Sequence, residues 1–492
     1  MLTYAGMLSY TIHFIYVNNF KKLSLIQKIN LIIFYVFSLY PTILKYRQFP
    51  TGYPDCYVGG SIEPHRMSPN SSAPYFGLAL VKVKPPRQLK IPVLPSNDPK
   101  TGKLVFHLCR SCMTSASQTM CTHNDEERSW IAVYTTSELY LAQSKNYEIV
   151  EIYEVLDWPP ERRRVYNRET NTHGIFSEFI DRYLTLKVLS TGFPDDVVTD
   201  EDRDKFVDDY KMHEGISIEK ESVKKNKGLR QVAKLMLNAL WGRFSMKNGK
   251  RQTILYQAGE GEKLFQKLHN QQTRMCNVSL WDNVVMAEFQ DAKDCAPECG
   301  NTNIFIGVFT TSEARILLYQ TLDKLGDNLL YCDTDSAIYK WCPGDYEVEL
   351  GDYLGCFTNE LEGDGEFIQT FLSAGAKAYC YRTNLSNVVC KTKGIKLTHS
   401  AAKVLNFSTF NRLIVQKSDE TPIVVEHRAL HRNKQQYHIY SADKVKSFKM
   451  TNDKRVHNPN DYSSLPFGYC EQDDCDKVEF DYYNTPYYKC SS

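Results

Sequence analysis

Two aspartates, Asp333 and Asp335, form the tip of a short apolar hairpin in the sequence. The run Asn328-Leu-Leu-Tyr-Cys-Asp-Thr-Asp-Ser-Ala-Ile-Tyr-Lys-Trp341 reads as an apolar strand, an acidic tip and a second apolar strand. Residues two apart in an extended chain point to the same side, so the two carboxylates would crowd one spot. Like charges this close are costly unless a cation neutralises them. The pattern predicts a divalent metal site, best suited to Mg²⁺, although a solvated acidic turn remains open.

A helix predicted over residues 228–243 carries two cations and an amide on one face. Its sequence has strong helix formers and no Pro, and Gly242 suits a C-terminal cap. Arg230, Lys234 and Asn238 follow one another four residues apart, so they line one face. This row suits a triphosphate and the edge of a base. A solvated basic face is the simpler alternative.

Four candidate metal ligands lie within residues 109–123. The spacing is Cys-x₂-Cys-x₈-Cys-x-His, formed by Cys109, Cys112, Cys121 and His123. Three thiols and one imidazole suit a structural, tetrahedral Zn²⁺. Free thiols in a loop are the alternative, because the short Cys-x-His arm is less usual.

The chain has 492 residues, 42% of them hydrophobic and 24% charged, which predicts two to four globular domains. The net charge is +1, so any basic surface must be local. Fifteen Cys, an odd number, favour reduced thiols in an intracellular compartment. No apolar run reaches the roughly 20 residues of a spanning helix, so we expect no membrane partner. Residues 55–125 are predicted to form loops and short strands. Strands are predicted at Trp130–Tyr134 and Tyr147–Val155. Helices are predicted near Ile175–Val188 and over 215–245.

The basic helix and the acidic tip together resemble the B and C motifs of family B DNA polymerases. The matching stretches are Lys234-Leu-Met-Leu-Asn238-Ala-Leu-Trp-Gly242 and Tyr331-Cys-Asp333-Thr-Asp335-Ser336. The variant is similar to the protein-primed branch, and Trp241 with the Cys-rich insertion favours its Polinton- or Maverick-like transposon members. Further stretches resemble the end of the A motif, a DNA contact ahead of the C motif, the Lys-x-Tyr motif and a following basic stretch. These are, in order, Ser38-Leu-Tyr-Pro41, Thr311-Ser-Glu-Ala-Arg315, Lys377-Ala-Tyr379 and Lys391-Thr-Lys-Gly-Ile-Lys396.

The resemblance implies a role for each matched residue. Asp333 and Asp335 would be the catalytic carboxylates that bind Mg²⁺. The nucleotide would be bound by Tyr40, Arg230, Lys234 and Asn238, with Tyr40 excluding a 2′-hydroxyl. Primer and template would be held by Thr311, Arg315, Lys377, Tyr379 and Lys393. The implied reaction is transfer of dNTPs onto a primer 3′-hydroxyl or a protein primer, so the implied partners are primer–template DNA, dNTPs and a terminal priming protein.

The fold implied by the resemblance is α+β, a right hand with an antiparallel palm sheet, helical fingers and a small thumb. We expect the family's N-terminal exonuclease domain to be absent, and the nucleus is the favoured location. The implied organisation is a leader at 1–36, the start of the palm with a long insertion at 37–215, the fingers helix at 216–247, a second insertion at 248–300, palm at 301–375, thumb and DNA-binding region at 376–470, and a tail at 471–492.

The A motif departs from the family at the aspartate that bridges two metals. Counting back from Ser38 in the pattern Asp-x-x-Ser-Leu-Tyr-Pro places Tyr35 at that position, and residues 1–54 contain no Asp or Glu. Either the gene has decayed or the sequence before about Phe37 is foreign. We therefore expect an impaired polymerase. The alternatives are a non-catalytic DNA-binding remnant and, less favoured, a metal-dependent glycosyltransferase using its Asp-x-Asp site, which leaves Lys234 and Asn238 unexplained.

Overall fold

A computed structural model describes residues 11–13, 30–246, 251–292, 302–361, 363, 365–416, 423–433, 438–451, 453–458 and 463–470. Its strands, β1 to β23 in chain order, are Thr11–His13, Asn30–Val36, Phe49–Pro50, Asp55–Val58, Gly77–Lys84, Pro95–Asn97, Leu104–Phe106, Trp130–Thr135, Glu148–Asp157, Arg163–Arg164, Gln252–Gln257, Thr273–Trp281, Val284–Asp291, Leu329–Asp333, Ser336–Trp341, Phe357–Asn359, Ile368–Gly375, Ala378–Thr383, Val388–Lys391, Ile423–Arg432, Ile439–Phe448, Val456–His457 and Ser464–Leu465. Its helices, α1 to α11, are Leu39–Tyr46, Arg110–Ser115, Asp125–Arg128, Thr136–Ser144, Ser177–Thr191, Asp200–Glu214, Lys227–Phe244, Gly261–His269, Ile304–Leu325, His399–Val404 and Phe407–Ile414. The predicted tail at 471–492 and most of the predicted leader lie outside the described residues.

An eight-stranded antiparallel sheet, which we call the central sheet, organises the fold. Its order is β1-β14-β15-β2-β17-β18-β19, and β16 also pairs with β2. Strand β2 is rich in branched and aromatic residues, which favour a pleated strand. Leu31, Ile33, Phe34 and Val36 are all at most 1% exposed. The part of the predicted leader at residues 30–36 therefore forms a strand of this sheet, with apolar side chains on both faces.

The two faces of the central sheet pack into different cores. Strand side chains alternate between faces, so Phe34 and Ala337 join one core while Ile33 and Ile338 join the other. Helices α1, α4, α7 and α9 pack together on the Phe34 side. Most of the 22-residue helix α9 is buried. The sheet and this helical layer together form the frame for the candidate site.

Smaller units surround this frame. They comprise a sheet of order β4-β9-β5-β8, a sheet of order β11-β13-β12 with helix α8 packed on it, and the hairpin β20–β21. The strands predicted at 130–134 and 147–155 are β8 and β9, and the helix predicted near 175–188 is α5. The helix predicted over 215–245 was placed too early. Gly215, with φ +71°, ends α6, and α7 begins only after Asn226, whose side chain caps it. No helix in the described ranges is long and apolar enough to cross a bilayer.

Candidate active site

The turn between β14 and β15 holds the two aspartates at the edge of the helical layer. The turn is tight: the amide of Asp335 donates to the carbonyl of Asp333 at 2.6 Å, and Thr334 has φ +57°. Such a conformation is unfavourable for a residue with a Cβ, and it persists where surrounding contacts fix it. The Thr334 hydroxyl donates to the Asp333 carboxylate at 3.0 Å. The two aspartates thus lie in one tight turn, rather than two apart on an extended strand, and Asp335 is within electrostatic reach of Asp333.

The electrostatics of this turn fit a divalent cation. Burial, together with the neighbouring charge of Asp333, raises the pKa of Asp335 to about 6. The ammonium of Lys377 lies 3.4 Å from the Asp333 carboxylate and neutralises part of the charge. A hard cation with oxygen ligands would remove the remaining repulsion. The carboxylate donors and their mutual repulsion are the kind that a divalent cation such as Mg²⁺ would neutralise.

Tyr35 lies on β2 beside the aspartate turn. In the antiparallel register Tyr35 lies opposite Ser336, the residue directly after Asp335. The amide of Val36 donates to the carbonyl of Asp335 at 2.7 Å. A phenol is neutral near pH 7 and is not a bridging carboxylate. The structure thus places Tyr35 next to the aspartate turn, and its correspondence to the metal-bridging position stays a prediction.

Helix α1 links the aspartate turn to helix α7. Ser38, with φ +56°, begins α1 directly after β2. The ring of Tyr40 lies 4.7 Å from the ring of Trp241 on α7. Burial and the charge of Asp335 raise the pKa of Tyr40 to about 12. Tyr40 therefore lies between the two motifs that were predicted to share a site.

Three cations gather on the other side of α1. Lys187 on α5 is only 9% exposed, and its ammonium donates to the Ser38 hydroxyl at 3.2 Å. Burial and the charges of Arg230 and Lys234 lower the pKa of Lys187 to about 8. Arg230 donates to the Thr191 hydroxyl at 3.2 Å, which ties α7 to α5. The positive charges of Arg230 and Lys234 outweigh the opposing effect of Glu214 on Lys187, so the cluster is locally positive.

Lys187 was missed by the sequence analysis, although the sequence carries a signal for it. It falls in the same helical stripe as Ile180, Leu184 and Val188, which are at most 5% exposed. A single cation inside an apolar stripe is unusual, because burying a charge is costly without a partner. The other predicted nucleotide residues on α7, Lys234 and Asn238, are exposed on the helix surface.

A groove of about 460 Å³ opens beside Asp333. Its lining includes Lys377 and Tyr379, and Lys391 and Thr392 from the end of β19. Lys377 lies in the turn between β17 and β18, and its amide donates to the hydroxyl of Tyr331 at 3.2 Å. Lys393 is exposed just beyond the lining residues. The predicted Lys-x-Tyr pair and the following basic stretch thus meet at the metal-site end of the groove.

Thr311 and Arg315 lie inside the protein on helix α9. Both are 7% exposed. Arg315 donates from two nitrogens to the Glu138 carboxylate, at 2.8 and 2.5 Å. The Thr311 hydroxyl donates to the carbonyl of Gly307 at 2.9 Å. As placed here both side chains are engaged internally, so a contact with DNA would require Arg315 to leave Glu138 and stays a prediction.

The predicted zinc ligands converge on one point. The ligand atoms of Cys109, Cys112, Cys121 and His123 all lie within 4.8 Å of one another. The three sulfurs are 3.6, 3.3 and 3.6 Å from Nδ1 of His123. A tetrahedral Zn²⁺ with ordinary bond lengths would separate sulfur and nitrogen ligands by about 3.6 Å. The donor set and its spacing fit Zn²⁺.

Comparisons with known proteins bear on this geometry. The family model for DNA polymerase type B, organellar and viral, matches residues 18–196 and 202–326, which is more than half of the chain. Phi29 DNA polymerase complexed with primer–template DNA and incoming nucleotide substrates is similar in structure, with TM-score 0.50 and 14% identity, over 89% of this chain and 60% of that one. An orthorhombic crystal form of Phi29 DNA polymerase gives TM-score 0.50 and 15% identity, over 90% of this chain and 61% of that one. The chain thus spans about three fifths of the length of these structures. No curated protein matches its sequence.

Proposed function

Because the chain belongs to the organellar and viral type B DNA polymerases, we propose that it adds deoxynucleotides from dNTPs to a primer 3′-hydroxyl, or to a protein primer, under the direction of a template. The observation that carries this proposal is the convergence of three segments on helix α1. Tyr40 on α1 lies within electrostatic reach of the aspartate turn, its ring contacts that of Trp241 on α7, and Lys187 on α5 donates to the Ser38 hydroxyl at the start of α1. A glycosyltransferase site would not require this cation cluster together with the Lys-x-Tyr groove.

The parts of the fold take their roles from this proposal. The central sheet as far as β17 serves as the palm, and helix α7 serves as the fingers helix. Residues 376–470, with the hairpin β20–β21, serve as the thumb and DNA-binding region. The units at 54–215 and 248–300 are insertions that contact the template or a priming protein. The structural likeness to Phi29 DNA polymerase supports this arrangement.

The proposed reaction divides the work among the residues of the site. Asp333 and Asp335 would hold Mg²⁺, which when bound supplies a Lewis acid for the primer hydroxyl and the departing pyrophosphate. Lys187, Arg230 and Lys234 would neutralise the triphosphate, where negative charge shifts during transfer. Tyr40, fixed by its ring contact with Trp241, would lie under the sugar and exclude a 2′-hydroxyl. Asn238 would lie beside the new base pair.

A DNA-binding remnant is the second candidate, and Tyr35 is the observation that favours it. Such a remnant would bind DNA through the groove and the cation cluster but would not add nucleotides efficiently. The polymerase and the remnant would use the same DNA-binding surfaces, so binding experiments test what the two proposals have in common. Catalytic experiments, described in the Discussion, separate the two.

Nucleotide affinity should fall as the pH rises through about 8. The ammonium of Lys187 attracts a triphosphate when protonated, and its lowered pKa means that it loses this charge near pH 8 rather than near 10.5. We expect dNTP binding to the primer–template complex, measured by fluorescence titration with Mg²⁺, to weaken roughly tenfold between pH 7 and 9.

The matched control for this effect is Lys187→Arg, which keeps its charge over the whole range. It should show a flat profile over the same pH interval. Equal pH dependence in the two proteins would contradict a role for Lys187 in binding the triphosphate.

DNA binding should depend on salt and lose about one unit of salt slope in Lys393→Ala. Each lysine that contacts a phosphate releases counterions, so its removal flattens the dependence of log K on log salt by about 0.9. The measurement is fluorescence anisotropy with primer–template DNA between about 50 and 200 mM salt. Lys220→Ala is the matched control, because Lys220 already pairs with Asp204 at 2.6 Å and is not among the residues that line the groove. Identical salt slopes in both variants would show that Lys393 does not contact a DNA phosphate.

We also propose that Cys109, Cys112, Cys121 and His123 bind one structural Zn²⁺. The sulfur–nitrogen distances support this assignment. Metal analysis of the purified chain should find zinc in equimolar amount, and Cys112→Ser should lose it.

A further inference from the structure

The C-terminal strap, defined here as the described part of residues 451–470, lies on the unit that carries the zinc ligands. We call residues 85–128 the cysteine unit. The amide of Leu108 donates to the carbonyl of Phe467 at 2.7 Å, and the amide of Cys470 donates to the carbonyl of Arg87 at 2.9 Å. Phe467 is 1% exposed and packs in one small core with the three cysteine ligands. The strap and the ligand loops thus share one core, although more than 300 residues separate them in sequence.

The strap approaches the ligand loop so closely that only glycine fits at the contact. Gly468 has φ +89°, and a Cβ built there would lie 2.3 Å from Cβ of Cys109 and 2.6 Å from its amide nitrogen. Real Cβ atoms do not come this close, so any other residue would push the strap away. The strap therefore rests directly on a metal ligand.

Arg128 joins the ligands to the strap through a single nitrogen. Its NH1 lies 3.3 Å from the sulfur of Cys121 and donates to the carbonyl of Gly468 at 3.0 Å. The same nitrogen is 3.8 Å from the sulfur of Cys470. Donors that point at a metal-bound sulfur orient the ligand and stabilise its negative charge. Loss of the metal would therefore disturb the strap through Arg128.

The charge of Arg128 independently points to an occupied metal site. Its side chain is 0% exposed, its Nε has no hydrogen-bond partner, and its other nitrogens contact the carbonyls of Pro86 and Gly468 and two cysteine sulfurs, with no carboxylate among these described contacts. A buried guanidinium needs a nearby negative charge. Three thiolates, one neutral imidazole and one Zn²⁺ carry a net charge of −1, which supplies it. The metal, Arg128 and the strap are thus parts of one unit.

The other end of the strap reaches the groove beside Asp333. The amide of Thr451 donates to the carbonyl of Ala374 on β17 at 3.0 Å. Lys454 follows three residues later. Its pKa is lowered to about 8 by burial and by the neighbouring charge of Lys393, while Asp333 acts in the opposite direction. Lys454 thus follows the backbone contact with β17 directly along the chain and lies within electrostatic reach of Asp333 and Lys393.

We infer that the Cys₃His centre is a metal-dependent clasp that fixes the C-terminal strap on the cysteine unit and so holds Lys454 at the groove. The chain leaves the central sheet after β19 and passes through the hairpin β20–β21. Residues 463–470 then bind it to the cysteine unit. With Zn²⁺ bound, the strap is held on the cysteine unit beside the groove. Without Zn²⁺, residues 463–470 detach from the cysteine unit. The part of the inference that concerns DNA rests on the proposed function.

The clasp is tested by hydrogen exchange and trypsin cleavage of the full chain, with and without removal of zinc by a chelator. Arg455 is 2% exposed in the clasped state. We expect zinc removal to raise exchange in 463–470 and cleavage after Arg455 at least tenfold, with no change in β14 and β15. Cys112→Ser should behave like the stripped chain, and Cys56→Ser, at an exposed cysteine outside the cluster, like the loaded one. Exchange in 463–470 that does not respond to zinc would overturn the clasp.

Gly468→Ala separates the clasp from metal binding itself. The variant keeps all four ligands, so we expect it to retain zinc, yet its strap should exchange as fast as that of the stripped chain. Retained zinc together with a protected strap would overturn the inference that the contact at Gly468 holds the strap.

Dissociation of primer–template DNA tests the consequence for the groove. We expect about tenfold faster dissociation from the stripped chain, from Gly468→Ala and from zinc-loaded Lys454→Ala. Absence of DNA binding in every version, with the exchange results as expected, would refute the proposed function and leave the clasp standing. DNA binding that is equally long-lived with and without zinc would overturn the link between clasp and groove.

Discussion

Replacing Tyr35 with Asp should raise the rate of nucleotide addition by about two to three orders of magnitude. The antiparallel register places Tyr35 opposite Ser336 and beside the aspartate turn, so an aspartate there would complete a set of three carboxylates. Loss of one preorganised electrostatic element in an active site costs about 2.7–4 kcal/mol of transition-state stabilisation, and its restoration should return that amount. The measurement is a single-turnover, rapid-quench assay with primer–template DNA, one dNTP and Mg²⁺.

Two further variants show whether the gain comes from the carboxylate. The asparagine of Tyr35→Asn has nearly the same size as aspartate but no charge. This variant should therefore add nucleotides as slowly as the natural chain. Adding Asp335→Asn to Tyr35→Asp should abolish the recovered rate. If the natural chain already adds nucleotides as fast as Tyr35→Asp, then the metal-bridging position has been assigned to the wrong residue.

Arg315→Met should reduce the free energy of unfolding by about 3–5 kcal/mol. Both partners of the Arg315–Glu138 pair are less than 10% exposed, so removing the guanidinium leaves a buried carboxylate without its counter-charge. Denaturant titration followed by tryptophan fluorescence measures the change. The double variant Arg315→Met with Glu138→Leu should recover much of the loss, because no buried charge then remains unpaired.

The same variants decide between two roles for Arg315. The family resemblance implied a contact with DNA, whereas the structure places the residue in an internal ion pair. Unchanged stability with weakened DNA binding in Arg315→Met would favour the DNA contact and show that the pair with Glu138 opens when DNA binds.

The sequence alone predicted those features that depend on residues close together in the chain. The acidic tip, the cation row on α7 and the Cys-x₂-Cys-x₈-Cys-x-His spacing depend on residues close together in the chain, whose relative placement follows from strand or helix periodicity. The structure places the acidic tip in a hairpin turn, the cation row on one helix and the four Cys and His ligand atoms within 4.8 Å of one another. Tyr35 could also be placed, because it is a fixed number of residues from Ser38 in a short motif.

Features that depend on distant residues could not be predicted. Nothing in the sequence near Arg315 indicates that Glu138, 177 residues away, pairs with it. Cys470 gave no spacing signal, yet it lies beside Cys121, since the strap returns from the far side of the hairpin β20–β21. The acid-free composition of residues 1–54 pointed away from a native strand at 30–36. In that segment the apolar pattern, and not the charge, determines that β2 belongs to the central sheet.

The most direct test of the proposed function is whether the template chooses the nucleotide. Four primer–template duplexes that differ only in the templating base are each offered the four dNTPs singly, with Mg²⁺ and Tyr35→Asp protein, and one-nucleotide products are resolved on a gel. The account predicts that each template directs addition of its complementary nucleotide, and that Tyr35→Asp with Asp335→Asn adds none. Addition that ignores the templating base, or no addition by Tyr35→Asp despite stable binding of DNA and dNTP, would contradict it.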